Sequence, residues 1–318
     1  PDPAMLINEA GDDRDIIQPG DRVILIVEND LGFARILLDA AREKGFKGLV
    51  TSMGAHALTM VQEYQPTVIT LDIHLPDIDG WRVLSRLKND VTARHIPVYV
   101  VSTEDARERA RESGAKEFVA KPIQNKQVLD VLLEEMNTYL GKSPKRLLVF
   151  DENPMALTQI KEYIEGIPDL EITMAPLLGN MREALQKQTV DCVVVGNTGP
   201  TTTLEQIVEE IHDSPMNGNT PLVVLRAQRG AANDVTGKII AKHPMSRQVQ
   251  SLARMLDQTT LFLHQPVTWL PEHQRSVLND IYRSNKPLSG KTVMIVDDDI
   301  RNIFALSSVL EEYEMTIV

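Results

Sequence analysis

One cysteine among 318 residues, Cys192, leaves no room for an intramolecular disulfide and fits a reducing compartment. It opens the apolar run Cys192-Val193-Val194-Val195, which reads as a buried strand rather than the setting of a reactive thiol. Aromatic residues are scarce, at 4%, while charged residues make up 25%, a balance typical of helix-rich α/β proteins. No apolar run approaches the roughly 18–20 residues needed to span a bilayer, and no basic stretch precedes an apolar one in the manner of a secretion signal. Basic charge is also in deficit. The 33 Lys and Arg against 45 Asp and Glu leave a net charge of −12, which argues against unaided binding to nucleic acid or anionic membranes. The expectation is a cytoplasmic protein. The seven histidines lack metal-ligand spacing, and no glycine-rich nucleotide loop occurs, since Gly45-Phe46-Lys47-Gly48 reads as a helix stop and turn.

What the chain does have is a repeated unit. Val23-Ile24-Leu25-Ile26-Val27 is short, β-branched and continuous, as a strand buried on both faces should be. The polar pair Glu28-Asn29 follows, and then an amphipathic helix pattern to about Lys44. The same syntax recurs at Arg146-Leu147-Leu148-Val149-Phe150 with Asp151-Glu152, and again at Val293-Met294-Ile295-Val296 with Asp297-Asp298. Within the first unit, strands are expected near 22–27, 47–51, 67–72, 97–101 and 116–119. Helices are expected near 31–44, 54–64, 79–88, 104–112 and 124–140. Strict alternation implies a five-stranded parallel sheet covered by helices on both faces, with its chemistry at the carboxyl ends of the strands.

Those ends carry Glu28 and Asn29 after the first strand, Asp72 after the third, Ser102 after the fourth, and Lys121 with Pro122 after the fifth. Acidic and amide oxygens brought together suit Mg²⁺, a hard cation that favours carboxylates and keeps several waters. Two carboxylates about 4 Å apart would repel by roughly 4 kcal/mol at an effective dielectric near 20, and a cation relieves that repulsion.

The residue types and their order resemble the receiver (response-regulator) family over about Arg22 to Leu140. The resemblance rests on Leu-Asp-x-x-Leu-Pro-x-x-Asp-Gly at 71–80, Val-Ser-Thr at 101–103 and Ala-Lys-Pro at 120–122. It implies a flavodoxin-like (CheY-like) fold in which Asp72 attacks a phosphohistidine donor and Ser102 and Lys121 hold phosphoryl oxygens. It further implies Mg²⁺ bound by the Asp72 carboxylate, the His74 backbone carbonyl and the acidic-pair positions Glu28 and Asn29. Two positions depart from the family's pattern. Asn29 stands where a second acid is usual and implies weaker Mg²⁺ binding; Thr103 is larger than the usual residue and implies slower exchange. Lys121-Pro122 reads either as a cis peptide aiming the lysine into the site or as a trans proline opening a helix. Phe118 occupies the place of the aromatic that swings inward with Ser102 on phosphorylation, or is a static core residue. Pro76 and Gly80 shape the loop after the third strand.

The second unit keeps the syntax and loses the chemistry. Glu28 and Asp72 lie 44 residues apart; the same count from Asp151 reaches the end of Val193-Val194-Val195-Gly196, where glycine offers no nucleophile. Arg226 stands at the Ser102 position, and Lys242 keeps a basic residue near the place of Lys121. Arg226 either fills the vacated pocket by pairing with Asp151 or Glu152, or is solvated. The third unit has a complete acidic pair, Asp297-Asp298, but an acceptor at the same spacing would fall near position 341, beyond Val318.

The expected architecture is therefore tandem receivers. Residues 1–20 read as tag or linker, 21–140 as a receiver with an intact acceptor, and 141–145 as a linker. A degenerate pseudo-receiver follows at 146–264, a linker with a short helix at 265–290, and the start of a third receiver at 291–318. The stretch from Leu261 to Asp299 is similar to inter-receiver segments of multi-receiver hybrid histidine kinases, which implies a piece of such a kinase. Partners implied are a histidine kinase or histidine phosphotransfer domain as donor, and contacts between receivers. An inert interaction scaffold and a flavodoxin-like enzyme or nucleotide binder are the competing classes, the latter without a phosphate-cradling loop.

Overall fold

The computed structural model describes residue 8, residues 10–103, 106–123, 126–198, 202–226, 243, 245–285 and 292–296, and isolated positions after these. The first unit alternates strands β1 (Val23–Val27), β2 (Lys47–Thr51), β3 (Val68–Leu71), β4 (Val98–Ser102) and β5 (Glu117–Ala120) with helices. The helices are α1 (Leu31–Glu43), α2 (Gly54–Tyr64), α3 (Gly80–Asn89), α4 (Arg107–Glu112) and α5 (Lys126–Gly141). The sheet is parallel, in the order β2-β1-β3-β4-β5. Alternation along β1 shows why its sequence is apolar throughout. Val23, Leu25 and Val27 join one core with α2 and α3, while Ile24 and Ile26 join the opposite core with α1 and α5.

The second unit repeats this plan with β6 (Lys145–Phe150), β7 (Leu170–Ala175), β8 (Cys192–Val195), β9 (Leu222–Leu225) and β10 (Ser246–Val249). Its order, β10-β9-β8-β6-β7, is the same arrangement read from the other edge, and all pairings are parallel. Helices α6 (Pro154–Ile164), α7 (Leu178–Lys187), α8 (Leu204–His212) and α9 (Leu252–Phe262) cover it. Again Leu147 and Val149 face one core and Leu148 and Phe150 the other. Two parallel five-stranded sheets with flanking helices make tandem flavodoxin-like domains.

Helix starts follow local chemistry. Asp30 caps α1 by accepting from the N–H groups of Gly32 and Phe33, and Asn153 caps α6 ahead of Pro154. Thr203 and Gln206 form a reciprocal capping box at α8. Cys192 is fully buried in β8, where burial pushes its thiol pKa up.

The stretch assigned to tag or linker is, in its described part, an element of the first domain. Asp13 N–H donates to Gly48 O (2.9 Å), and its Oδ2 accepts from Gly48 N–H (2.8 Å); Asp12 Oδ2 accepts from Val50 N–H (2.9 Å). Two carboxylates thus satisfy the outer edge of β2, which would otherwise present unpaired N–H groups to solvent. The period-based reading missed this because the segment pairs by side chains rather than as a strand. A second correction concerns residues 265–290. A 3₁₀ turn at Val267–Trp269 and helix α10 (Glu272–Asn285) belong to the second domain, burying Val267, Leu270 and Leu278 in its core. Gln274 adds bonds to the carbonyls of Tyr163 and Glu165 (both 3.0 Å). Beyond it, β11 (Thr292–Val293) pairs with β12 (Thr316–Ile317) in a separate two-stranded sheet. Asp297 and Asp298 lie outside the described residues.

Candidate functional site

Parallel register carries the polar residues to one end of the first sheet. Asp72 N–H donates to Val27 O (2.9 Å), Glu28 N–H to Thr51 O (2.9 Å) and Lys121 N–H to Ser102 O (2.8 Å). Each acidic or basic residue is therefore pinned one step past the strand that delivers it. The Lys121 ammonium then lies 2.6 Å from Asp72 Oδ2 and 2.7 Å from Glu28 Oε2, bridging two buried carboxylates. The remaining oxygens are held by backbone amides. His74 N–H donates to Asp72 Oδ1 (3.1 Å) and Asp30 N–H to Glu28 Oε1 (3.0 Å). Ser102 is fully buried at the end of β4, and Asn29 is exposed beside Glu28.

Burial raises the Glu28 pKa above the usual carboxylate value even against the hydrogen bond from Lys121. For Lys121 burial works against the charge, but its hydrogen bonds to Asp72 and Glu28 outweigh it and the pKa is raised. The ammonium is thus firmly charged and occupies the position of positive charge between two acids.

That arrangement can be judged as a seat for a divalent cation by its donor atoms. The two carboxylates brought together, Glu28 and Asp72, offer oxygen donors only, and the exposed Asn29 next to Glu28 carries an amide oxygen. Among the described residues no group of three or more His, Cys, Asp or Glu side chains is placed to hold a metal. The residues suit a hard cation that retains several waters, and not a site closed by protein ligands.

The loop after β3 is shaped by close backbone approach. Gly80 N–H donates to Ile73 O (2.9 Å), and a Cβ at Gly80 would overlap Asp72 O and Ile73 Cα. Lys121-Pro122 is cis. Phe118 is buried, facing the core inward, with the Arg107 guanidinium 5.6 Å from its ring. One neighbour of the site escaped sequence reading: the Phe33 ring, 5.0 Å from Lys121 Nζ. Its signal was available in Asp30-Leu31-Gly32-Phe33, one turn into the helix that follows the first acidic pair.

The corresponding end of the second sheet is built differently. Asp151 is completely buried, and its carboxylate accepts from Asn153 N–H (2.8 Å), Asn197 N–H (2.8 Å) and Asn197 Nδ2 (3.2 Å). A Cβ at Gly196 would overlap Asp151 Oδ2, so this carboxylate fills the space in which an acceptor side chain would begin. Glu152 donates its N–H to Asn197 O (3.2 Å). Pairing of Arg226 with Asp151 is not formed among the described residues. Amides satisfy the carboxylate, and Arg226 Nε is buried without a hydrogen-bond partner. Lys242 lies outside the described residues.

Fold and site together define a signal-receiver class of α/β domain, with an acid, a lysine and a hydroxyl at the strand ends of a five-stranded parallel sheet. The family model for the response regulator receiver domain matches residues 24–133. Polar-differentiation response regulator DivK of Brucella ovis is 31% identical over 122 residues, covering 37% of this chain and 95% of the relative. The DivK protein of Brucella anthropi matches to the same extent. Among solved structures, a sensor protein from Polaromonas sp. JS666 is 29% identical, covering 39% of this chain and 100% of that one, at a TM-score of 0.34. The Mn²⁺-bound form of response regulator Rcp1 is 24% identical, covering 38% and 96%, at a TM-score of 0.34. The chain belongs to the response regulator receiver family of two-component signalling.

Proposed function

We propose that this chain is the receiver portion of a hybrid histidine kinase, taking a phosphoryl group from phosphohistidine onto Asp72. The observation that carries the reading is the bridge from Lys121 to both Asp72 and Glu28 (2.6 and 2.7 Å). An Asp72 carboxylate oxygen bonds to phosphorus as the P–N bond of the donor breaks. The electron pair returns to the imidazole nitrogen, which takes up a proton. Lys121 exchanges a carboxylate oxygen for a phosphoryl oxygen, and the Ser102 hydroxyl holds another. Glu28, Asn29, the Asp72 carboxylate and the His74 carbonyl are the residues that would hold Mg²⁺, whose bound charge neutralises the phosphoryl group. The donor is a histidine kinase or histidine phosphotransfer domain. Phe118 and Ser102 respond to the phosphorylated state.

In this reading the domain with Gly196 is a pseudo-receiver. Asp151, caged by amides, replaces both the metal ligand and the space of the nucleophile. The module is cytoplasmic, and no described helix is long and apolar enough to cross a membrane.

Acetyl phosphate with Mg²⁺ tests the proposal. One phosphoryl group per chain is expected by intact mass, and none with Asp72→Ala. Equal labelling of both proteins refutes it, and no labelling of either favours an inert scaffold.

A further inference from the structure

The two domains meet at the ends of their sheets opposite to Asp72 and Gly196. On the first, the contact residues precede β4 (Arg94, His95) and β5 (Lys116) or close α5 (Tyr139); on the second, they precede β8 (Asp191) or close α9 (His264). Strands and helices run in opposite directions, so strand starts and helix ends share this side. His264 Nδ1 lies 3.0 Å from His95 O, and Lys145 Nζ donates to Tyr139 O (3.0 Å). The Tyr139 ring is flanked by two ammonium groups, Lys116 at 4.0 Å and Lys145 at 3.7 Å. Arg247 of β10 donates to the carbonyl of Glu112 at the end of α4.

At the centre is Arg94. Its guanidinium is buried, with side-chain exposure of 1%, against an Asp257 carboxylate of 2%. It also donates to the Asp257 backbone carbonyl and touches the Tyr282 hydroxyl of α10, which itself lies 3.0 Å from Asp257 Oδ1. Behind it, buried Lys88 donates to the carbonyls of Arg94 (3.1 Å) and Ile96 (2.7 Å), fixing the loop that presents the arginine. A desolvated charge pair of this kind is badly placed when the partner leaves, because separation strands an uncompensated charge on each side unless water replaces every bond.

We infer that the second domain is a permanent brace of the first, and that the two domains and α10 unfold as one cooperative unit joined at Arg94. The brace grips the back of the sheet and leaves the Asp72 end open, so a phosphodonor can reach Asp72 without displacing the second domain. The inference deepens the pseudo-receiver reading: a domain that no longer needs its own acceptor pocket serves by its opposite end.

Calorimetry and hydrogen exchange on the full chain test it. The wild type is expected to show one thermal transition for both domains. Gly196→Ala, placed in the second domain, should lower that whole transition and speed exchange in β3 of the first domain. Replacing both partners, Arg94→Met with Asp257→Leu, strands neither member of the pair; it should split the transition in two and confine the Gly196→Ala effect to the second domain. A single variant, Asp257→Asn, should weaken the coupling in the same direction. Two transitions in the wild type, or β3 exchange untouched by Gly196→Ala, overturns the inference. Beryllium fluoride with Mg²⁺ at 100-fold its Kd should raise the joint transition by roughly 5–10 °C. Its failure to bind refutes the phosphoacceptor reading alone, while the Gly196→Ala arm still decides the brace.

Discussion

Lys121 and Asp72 are in direct ionic contact, 2.6 Å apart, although 49 residues separate them in sequence. The same ammonium reaches Glu28, so one cation balances two buried acids. Lys121→Met removes that balance and leaves the acids facing one another. Phosphoryl transfer from acetyl phosphate should fall on the order of 100-fold, the usual consequence of losing one fixed charge at the reacting group. Mg²⁺ should at the same time raise the melting temperature of the variant more than that of the wild type. Labelling rate and thermal melts with and without Mg²⁺ measure both.

Gly196 is defined by what surrounds it. Because a Cβ there overlaps Asp151 Oδ2, Gly196→Ala should cost about 2–4 kcal/mol by forcing Asp151 away from its amide donors. Gly196→Asp should be at least as destabilising and should gain no phosphoryl group, since a second acid would crowd Asp151, whose carboxylate is already held by amides. Urea denaturation and intact mass after acetyl phosphate treatment check the two halves.

Two buried bases predict how stability depends on pH. Burial, with the Arg94 charge beside it, lowers Lys88 from 10.5 to about 7. Burial, with Lys88 and Arg94, lowers His95 from 6.5 to about 4. Between each pair of values the unfolded chain holds a proton that the folded chain lacks, so stability rises with pH. It should rise from about pH 4 to 6.5 through His95, and again from about pH 7 to 10.5 through Lys88. Lys88→Met should shrink the upper rise, to which Lys145, lowered by burial to about 8, also contributes, and leave the lower one, which denaturant titrations across pH will show.

Asp13 closes the edge of β2 and is held by Arg42 (2.8 Å). Its burial favours the neutral acid, but the bonds from Arg42 and Gly48 outweigh this and keep its pKa low. Asp13→Ala should cost about 2 kcal/mol and free the Gly48 N–H at the sheet edge to pair with another chain. Chemical denaturation and sedimentation velocity at high concentration should reveal lower stability and concentration-dependent association.

Much of this protein is legible in its sequence because local rules and global fold agree. Continuous β-branched runs and helical periods give the order of elements in both domains, and doubly buried strands make that signal strong. Glu28, Asp72, Ser102 and Lys121 could be nominated because a parallel sheet delivers every strand's end to one side. Gly196, too, could be read from spacing alone.

Contacts without a period could not be. The carboxylates of Asp12 and Asp13 cap a strand edge from a segment that looks like a linker, and α10 looks like a connector although it seals a core. The cage around Asp151 depends on Asn153 and Asn197 turning their amides inward, which no pattern announces. Nor does sequence pair Arg94 with Asp257, 163 residues on, since each alone reads as a surface charge. The sequence by itself determined the secondary structure, the parallel order and the one end of the sheet where an acceptor could sit. Only the tertiary structure decided which charges are buried together, because desolvation and pairing arise when distant segments exclude water from the same place.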